Sequence, residues 1–106
     1  MIISKMKDMF KGWFVGNFKP SVLITTDFEV GYLTHKKGEY HQAHYHNKAV
    51  EINYLIKGKM TIQNKELNTG DIFVLYQNEV ADPVFLEDCE LIVIKAPCVI
   101  GDKYLV

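Results

Sequence analysis

The sequence predicts an all-β domain, a sandwich or barrel of short strands. Two observations lead there. Short runs rich in Val, Ile, Leu, Thr, Phe and Tyr follow one another along 106 residues, and these residue types suit pleated surfaces. Turn signals separate the runs at regular intervals, which is the pattern of sandwiches and barrels. A chain this short also leaves no room for repeated βαβ crossovers.

Taken in order, the first dozen residues carry a weak helical face of Ile3, Met6, Met9 and Phe10. An irregular arm or a strand fits them equally well. SVLITTDFEVGYLTHKKG follows Pro20 as a strand segment and closes on a Lys-Lys-Gly turn at 36–38. HYH, AVEINYLIKG and KMTIQ continue the pattern, and Gly58 suits a tight reversal. NKELNTGD at 64–71 mixes two turns with a short strand. IFVLY at 72–76 and CELIVIKAP at 89–97 are apolar runs of buried-strand length. No linker or repeat divides the chain, so residues 1–106 are expected to be one domain, with residues 1–18 as an N-terminal arm.

The formal net charge of -1 and the lack of a cationic run argue against a nucleic-acid partner. No window approaches the apolar length of a membrane span, and Lys5, Lys7, Asp8 and Lys11 interrupt any signal-peptide core. A cytoplasmic location is the default expectation. Cys89 and Cys98 lie in apolar surroundings without a CxxC, and reduced thiols are expected.

The informative stretch is GEYHQAHYHNKAVEINYLIKG, Gly38 to Gly58. His44 and His46 are two apart, so on a strand they share a face. A hairpin through Asn47-Lys48 brings Glu51 towards them. Two imidazoles and a carboxylate suit a divalent transition metal: Fe, Mn, Zn, Ni or Cu. An H-x-H pair by itself is often only the polar face of an exposed strand. The nearby Glu51 changes the balance, because a buried carboxylate without a partner is costly.

Gly38, His44-Tyr45-His46, Glu51 and Gly58 have the spacing of the first motif of the cupin superfamily, and the chain resembles its small stand-alone members. That resemblance implies a cupin-type jelly-roll barrel, also called a double-stranded β-helix. It also implies His44, His46 and Glu51 as metal ligands. The motif covers about a fifth of the chain, and the strand pattern fits the fold over most of the rest. The second motif departs from the family. Gly70 opens it, but Tyr76 stands in place of its proline and Asn78 in place of its glycine. Ala81 stands where the fourth ligand, a histidine, should be. Three outcomes stay open. Either the triad keeps open positions for water or substrate, or a neighbour, Asp82, His41 or Glu79, supplies the missing ligand, or the metal is weak or absent and the polar groups bind an organic molecule.

Asn53 faces the same way as Glu51 by period 2 and is a candidate ligand-binding residue, as is Tyr40. Gln63 is another polar residue inside a strand pattern. A homodimer is expected, with the Trp13-Phe14 arm lying across a neighbouring subunit. Two functions compete. One is a metal-dependent enzyme acting on a small polar molecule, with sugar derivatives among the candidates. The other is a non-catalytic module that binds a small ligand or metal, which the loss of a histidine at Ala81 favours. A purely structural barrel has no need of three ionisable groups at one level.

Overall fold

The computed structural model describes residues 1–106. Ten strands follow a single 3-10 turn at Met6–Asp8. They are β1 Trp13–Val15, β2 Glu29–His35, β3 His44–Tyr45, β4 Val50–Lys57 and β5 Lys59–Ile62. β6 Lys65–Asn68, β7 Ile72–Leu75, β8 Val84–Phe85, β9 Cys89–Ala96 and β10 Tyr104–Leu105 complete the chain. They form a five-stranded sheet in the order β1-β2-β9-β4-β7, a three-stranded sheet β6-β5-β8, and a β10-β3 pair. All ladders are antiparallel.

Register sorts the large sheet into rows. On the inner face the rows are Leu33–Leu91–Leu55, then Gly31–Val93–Asn53–Phe73, then Glu29–Lys95–Glu51–Leu75. The core forms where Leu55, Leu91 and Val93 meet Met60, Ile62 and Phe85 of the smaller sheet. Gly31 lets the Trp13 indole lie against β2, since a Cβ there would come within 2.8 Å of the ring. Gly58 has φ +109 between β4 and β5, and a Cβ there would meet Asp88 O at 2.4 Å. Glycine is therefore required by conformation and by space at once.

Several expectations need correction. No sheet closes into a barrel: β1 and β7 are the edge strands of the large sheet, and β1 is met on its outer side only by isolated bridges such as Val15↔Leu23. The reason is length. β3 and β8 have two residues each, so pairing at that side shrinks to the isolated bridge His44↔Ala81. The segment after Pro20 becomes a strand only at Glu29. Before that, the Ser21 hydroxyl donates to Leu23 O and the Thr25 hydroxyl accepts from Asp27 N–H, so local bonds replace a ladder. The run at 72–76 is an edge strand with Ile72 and Val74 exposed, not a buried one. Gln63 is not inside a strand. It and Asn64 have φ +53 and +60, forming the two-residue turn between β5 and β6. Within the expected arm, Trp13–Val15 joins the large sheet as β1.

Candidate functional site

A cavity of about 670 Å³ opens between the sheets. That size suits a small molecule. Its wall includes Trp13, Glu29, His35, His41, His44, His46, Glu51, Asn53, Ala81, Lys95 and Asp102. Two groups of histidines and carboxylates border it, the second with only its histidines in the wall.

The first group is the one read from the motif. His46 is 7% exposed. Its Nδ1 donates to the backbone carbonyl of Asp102. A carbonyl can only accept, so this bond fixes the tautomer and leaves a lone pair on Nε2 of the neutral ring. That Nε2 is buried and has no hydrogen-bond partner. Glu51 Oε1 lies 3.5 Å away, close but not aligned to bond. His44 stands edge-on to His46 with ring centroids 5.3 Å apart, and its Nδ1 donates to Gln42 O at 3.2 Å. Burial lowers the His44 pKa below the ordinary imidazole value, which favours the neutral ring. Asn53 is buried and donates to Glu51 Oε2 at 3.0 Å. Burial raises the Glu51 pKa, but His46, Lys95 and Asn53 outweigh it, so the carboxyl titrates below its usual range. Lys95 Nζ is 4.0 Å from Glu51 Oε1 and sits over the Trp13 ring at 5.0 Å. Glu29, in the same row, has its pKa raised, with burial the largest cause.

Ala81 faces His44 across an isolated bridge. His44 N–H donates to Ala81 O at 3.0 Å, and Ala81 N–H returns the bond to His44 O at 2.7 Å. Both residues line the cavity, and Ala81 presents only a methyl group beside His44. Asn78 takes φ +68, the left-handed geometry that a glycine would supply there.

The other sequence candidates divide. His41 lines the cavity, but its partner is Glu39 rather than the first group. Asp82 does not line the cavity, because its carboxylate accepts from Gln63 N–H at 2.7 Å. Glu79 accepts from Tyr76 N–H at 2.7 Å and is likewise outside it. Tyr40 is 83% exposed and also outside the cavity. These three side chains are therefore spent on loops or on solvent.

The second group escaped the sequence reading. Glu39 Oε2 is 2.6 Å from His35 Nδ1 and 2.5 Å from His41 Nε2. Hydrogen bonds from His41 and His35 pull the Glu39 pKa down to about 2. It is this trio whose ligand atoms all lie within 4.8 Å of one another, and it could coordinate a divalent metal. His44, His46 and Glu51 are spread more widely. Asp102 was missed as well. Its carboxylate accepts from the backbone N–H groups of Asn47, Lys48 and Ala49 at 3.0–3.2 Å. Burial works against that charge, but the three donors prevail and lower its pKa. Lys95 could have been found, because period 2 through Leu91 and Val93 places it on the inner face.

No protein-family model and no curated protein matches the chain. Solved structures do. A conserved protein with a double-stranded β-helix domain from Klebsiella pneumoniae is 23% identical, with a TM-score of 0.68 over 80% of this chain and 79% of that one. A cupin-2 domain protein from Shewanella frigidimarina is 18% identical, with a TM-score of 0.55 over 68% and 72%. Pac13 from Streptomyces, described as a nucleoside dehydratase, is 13% identical, with a TM-score of 0.67 over 80% and 72%. At these identities the likeness shows a double-stranded β-helix, cupin-like fold and nothing further. No helix of the chain is long and apolar enough to cross a membrane.

Proposed function

We propose that the chain is a metal-dependent enzyme acting on a small polar molecule, with His44, His46 and Glu51 as the metal ligands. One observation carries the reading: the buried, unpartnered Nε2 of His46, aimed beside Glu51 and held by the Asp102 carbonyl. A ligating histidine is commonly fixed through its other ring nitrogen in this way. A bound divalent ion there would act as a Lewis acid towards a carbonyl or hydroxyl.

The chain's own residues supply the rest. Asn53 holds one Glu51 oxygen and so leaves the other to face His46. Lys95 puts a positive charge on the same row, suited to an anionic or strongly polar substituent. Trp13 offers an apolar wall of the kind that packs against a sugar ring or a base. Pac13, a fold relative, is described as a nucleoside dehydratase, which makes nucleosides and nucleotide sugars the first compounds to screen.

The second reading, a binding module without turnover, rests on two features. Ala81 withholds a ligand, and the Lys95 ammonium beside Glu51 disfavours another cation. Elemental analysis of untagged protein reconstituted with Fe(II), Mn(II), Zn(II) and Ni(II) separates the readings. His46→Ala should remove metal bound at this site, since neutral imidazole is an obligatory ligand. Occupancy lost on His46→Ala, with turnover of a screened substrate, supports the enzyme. Occupancy unchanged by His46→Ala refutes the proposed ligand set. A homodimer belongs to the same proposal. The outer face of the large sheet carries the apolar rows Val30–Ile94–Ile52–Val74 and Tyr32–Ile92–Tyr54–Ile72. Ile52, Tyr54, Ile72 and Val74 are exposed there, and such patches mark association surfaces.

A further inference from the structure

We propose that His35, Glu39 and His41 form a second cation site, for a first-row divalent transition metal, independent of His44, His46 and Glu51. The donors are His35 Nδ1, His41 Nε2 and the Glu39 carboxylate. Two imidazoles with one carboxylate is a donor set that zinc and its neighbours accept, leaving coordination positions for water or a ligand. Calcium and magnesium prefer all-oxygen sites, so the donor set selects against them.

The site is built before any ion arrives. The turn carrying Glu39 is closed by Glu39 N–H donating to Lys36 O at 3.0 Å. It is tied to the facing chain by Gly38 N–H donating to Phe85 O at 2.9 Å and Lys37 N–H donating to Asp88 Oδ1 at 2.9 Å. The His35 ring stacks on Phe85 with centroids 4.3 Å apart, which sets the direction of its Nδ1. His41 meets His35 edge-on at 4.8 Å, so both rings turn towards the carboxylate. In the ion-free arrangement both ring nitrogens point at a single oxygen, Oε2. A divalent cation would take the place of those two N–H···O hydrogen bonds, each neutral ring carrying its proton on its other nitrogen instead.

Independence follows from register. Glu29 aligns with Lys95 and through it with Glu51, whereas His35 aligns with Cys89 six residues further along β2. At the usual rise per strand residue that is on the order of 20 Å, so Glu51 and His35 lie towards opposite ends of the sheet, and the two groups share no donor although His41 and His44 are only three residues apart. His35 and His41 face the cavity, so open positions on the ion would be reachable from it. The smaller pocket lined by Lys7, Lys11 and Tyr32 reaches His35 and Glu39 from the other side.

The test is equilibrium dialysis of the untagged full chain against Zn(II), read by elemental analysis, with 15N NMR of the histidine ring nitrogens. The background is His46→Ala, or Glu51→Gln if the first variant loses its native circular dichroism. That background should keep about one Zn(II) per chain, and adding Glu39→Gln or His41→Gln should weaken it by at least about tenfold. Zinc should shift the ring signals of His35 and His41. A folded background that binds no Zn(II), or binding that Glu39→Gln and His41→Gln leave unchanged, overturns the second site. If wild type and His46→Ala bind equally and only the Glu39 and His41 variants fail, the second site stands and the first ligand set falls.

Discussion

Asp102→Ala tests how the C-terminal loop holds the first histidine group. The Asp102 side chain is buried and accepts from three consecutive backbone N–H groups, at Asn47, Lys48 and Ala49. Its own carbonyl accepts from His46 Nδ1. Removing the carboxylate strands the buried Ala49 donor, at a cost of about 1–3 kcal/mol, and gives the other two partly to water at about 0.5–1 kcal/mol each. Such terms do not add fully, so the expected loss is about 3 kcal/mol. With a urea slope of about 1.5 kcal/mol/M, the unfolding midpoint should fall by roughly 2 M. Asp102→Asn keeps one accepting oxygen and should fall between wild type and Asp102→Ala. Because the His46 tautomer depends on this loop, metal retention should drop about 10–100-fold as well, the usual effect of losing a partner behind a ligand. A midpoint within about 0.3 M of wild type for Asp102→Ala would refute the clasp, since even one stranded buried donor costs more.

Three further outcomes are expected. Ala81→His should tighten metal retention by about tenfold or more, because the new ring joins the cavity beside His44, and dialysis against a chelator measures it; faster loss than wild type would place the ion elsewhere. Ile72→Lys should turn a dimer into a monomer in sedimentation, since it puts a charge into the exposed apolar row; an unchanged mass would move the interface off this face. Stability should fall in acid. Asp102, Glu51 and Glu39 all have folded pKa values below their unfolded ones, so their contributions are whole above the ordinary carboxylate range and lost below it. The window runs from about 4.5 down to about 2, the Glu39 value. Glu29 works in the opposite sense, because burial raises its pKa. A urea midpoint that holds or rises from pH 5 to pH 3 would contradict the carboxylate roles.

Local patterns were legible in the sequence, and long-range pairing was not. Period 2 placed Glu51, Asn53 and Leu55 on one face of β4, and the register bears that out. It fails where strands have two residues. β8 and β10 are held by their neighbours rather than by their own propensity, and nothing in Val84-Phe85 or Tyr104-Leu105 announces a strand. The same shortness leaves the barrel unclosed. Asp102 was illegible because it acts 56 positions from His46, through a carbonyl that every residue possesses. Glu39 left a trace. It stands two residues before His41 and four after His35, across a Lys-Lys-Gly turn. A reversal between His35 and His41 brings both rings to one carboxylate. The denser His44-x-His46 pair masks that pattern.

The inner face of the large sheet explains why chemistry gathers where it does. Leu33–Leu91–Leu55 seals the middle of the domain, while Glu29–Lys95–Glu51 lies two inner-face rows nearer the start of β2. Ionisable groups cannot be buried unpaired without several kcal/mol of cost, so a chain that keeps five of them together must pair them or give them a ligand. Lys95 accounts for one carboxylate charge, and burial keeps Glu29 nearer its neutral form. What remains is the Nε2 of His46, beside Glu51, for which the chain itself provides no hydrogen-bond partner. That residue of unmet demand is the physical reason to look for a cation at this end of the cavity. At the other end Glu39 already answers both of its histidines, so a cation there must replace two hydrogen bonds rather than fill a gap. The two ends should therefore differ in affinity. Zinc should bind the His44–His46–Glu51 group more tightly than the His35–Glu39–His41 group, a difference that zinc titration of Glu39→Gln against His46→Ala protein can read, and equal affinities would refute the reasoning.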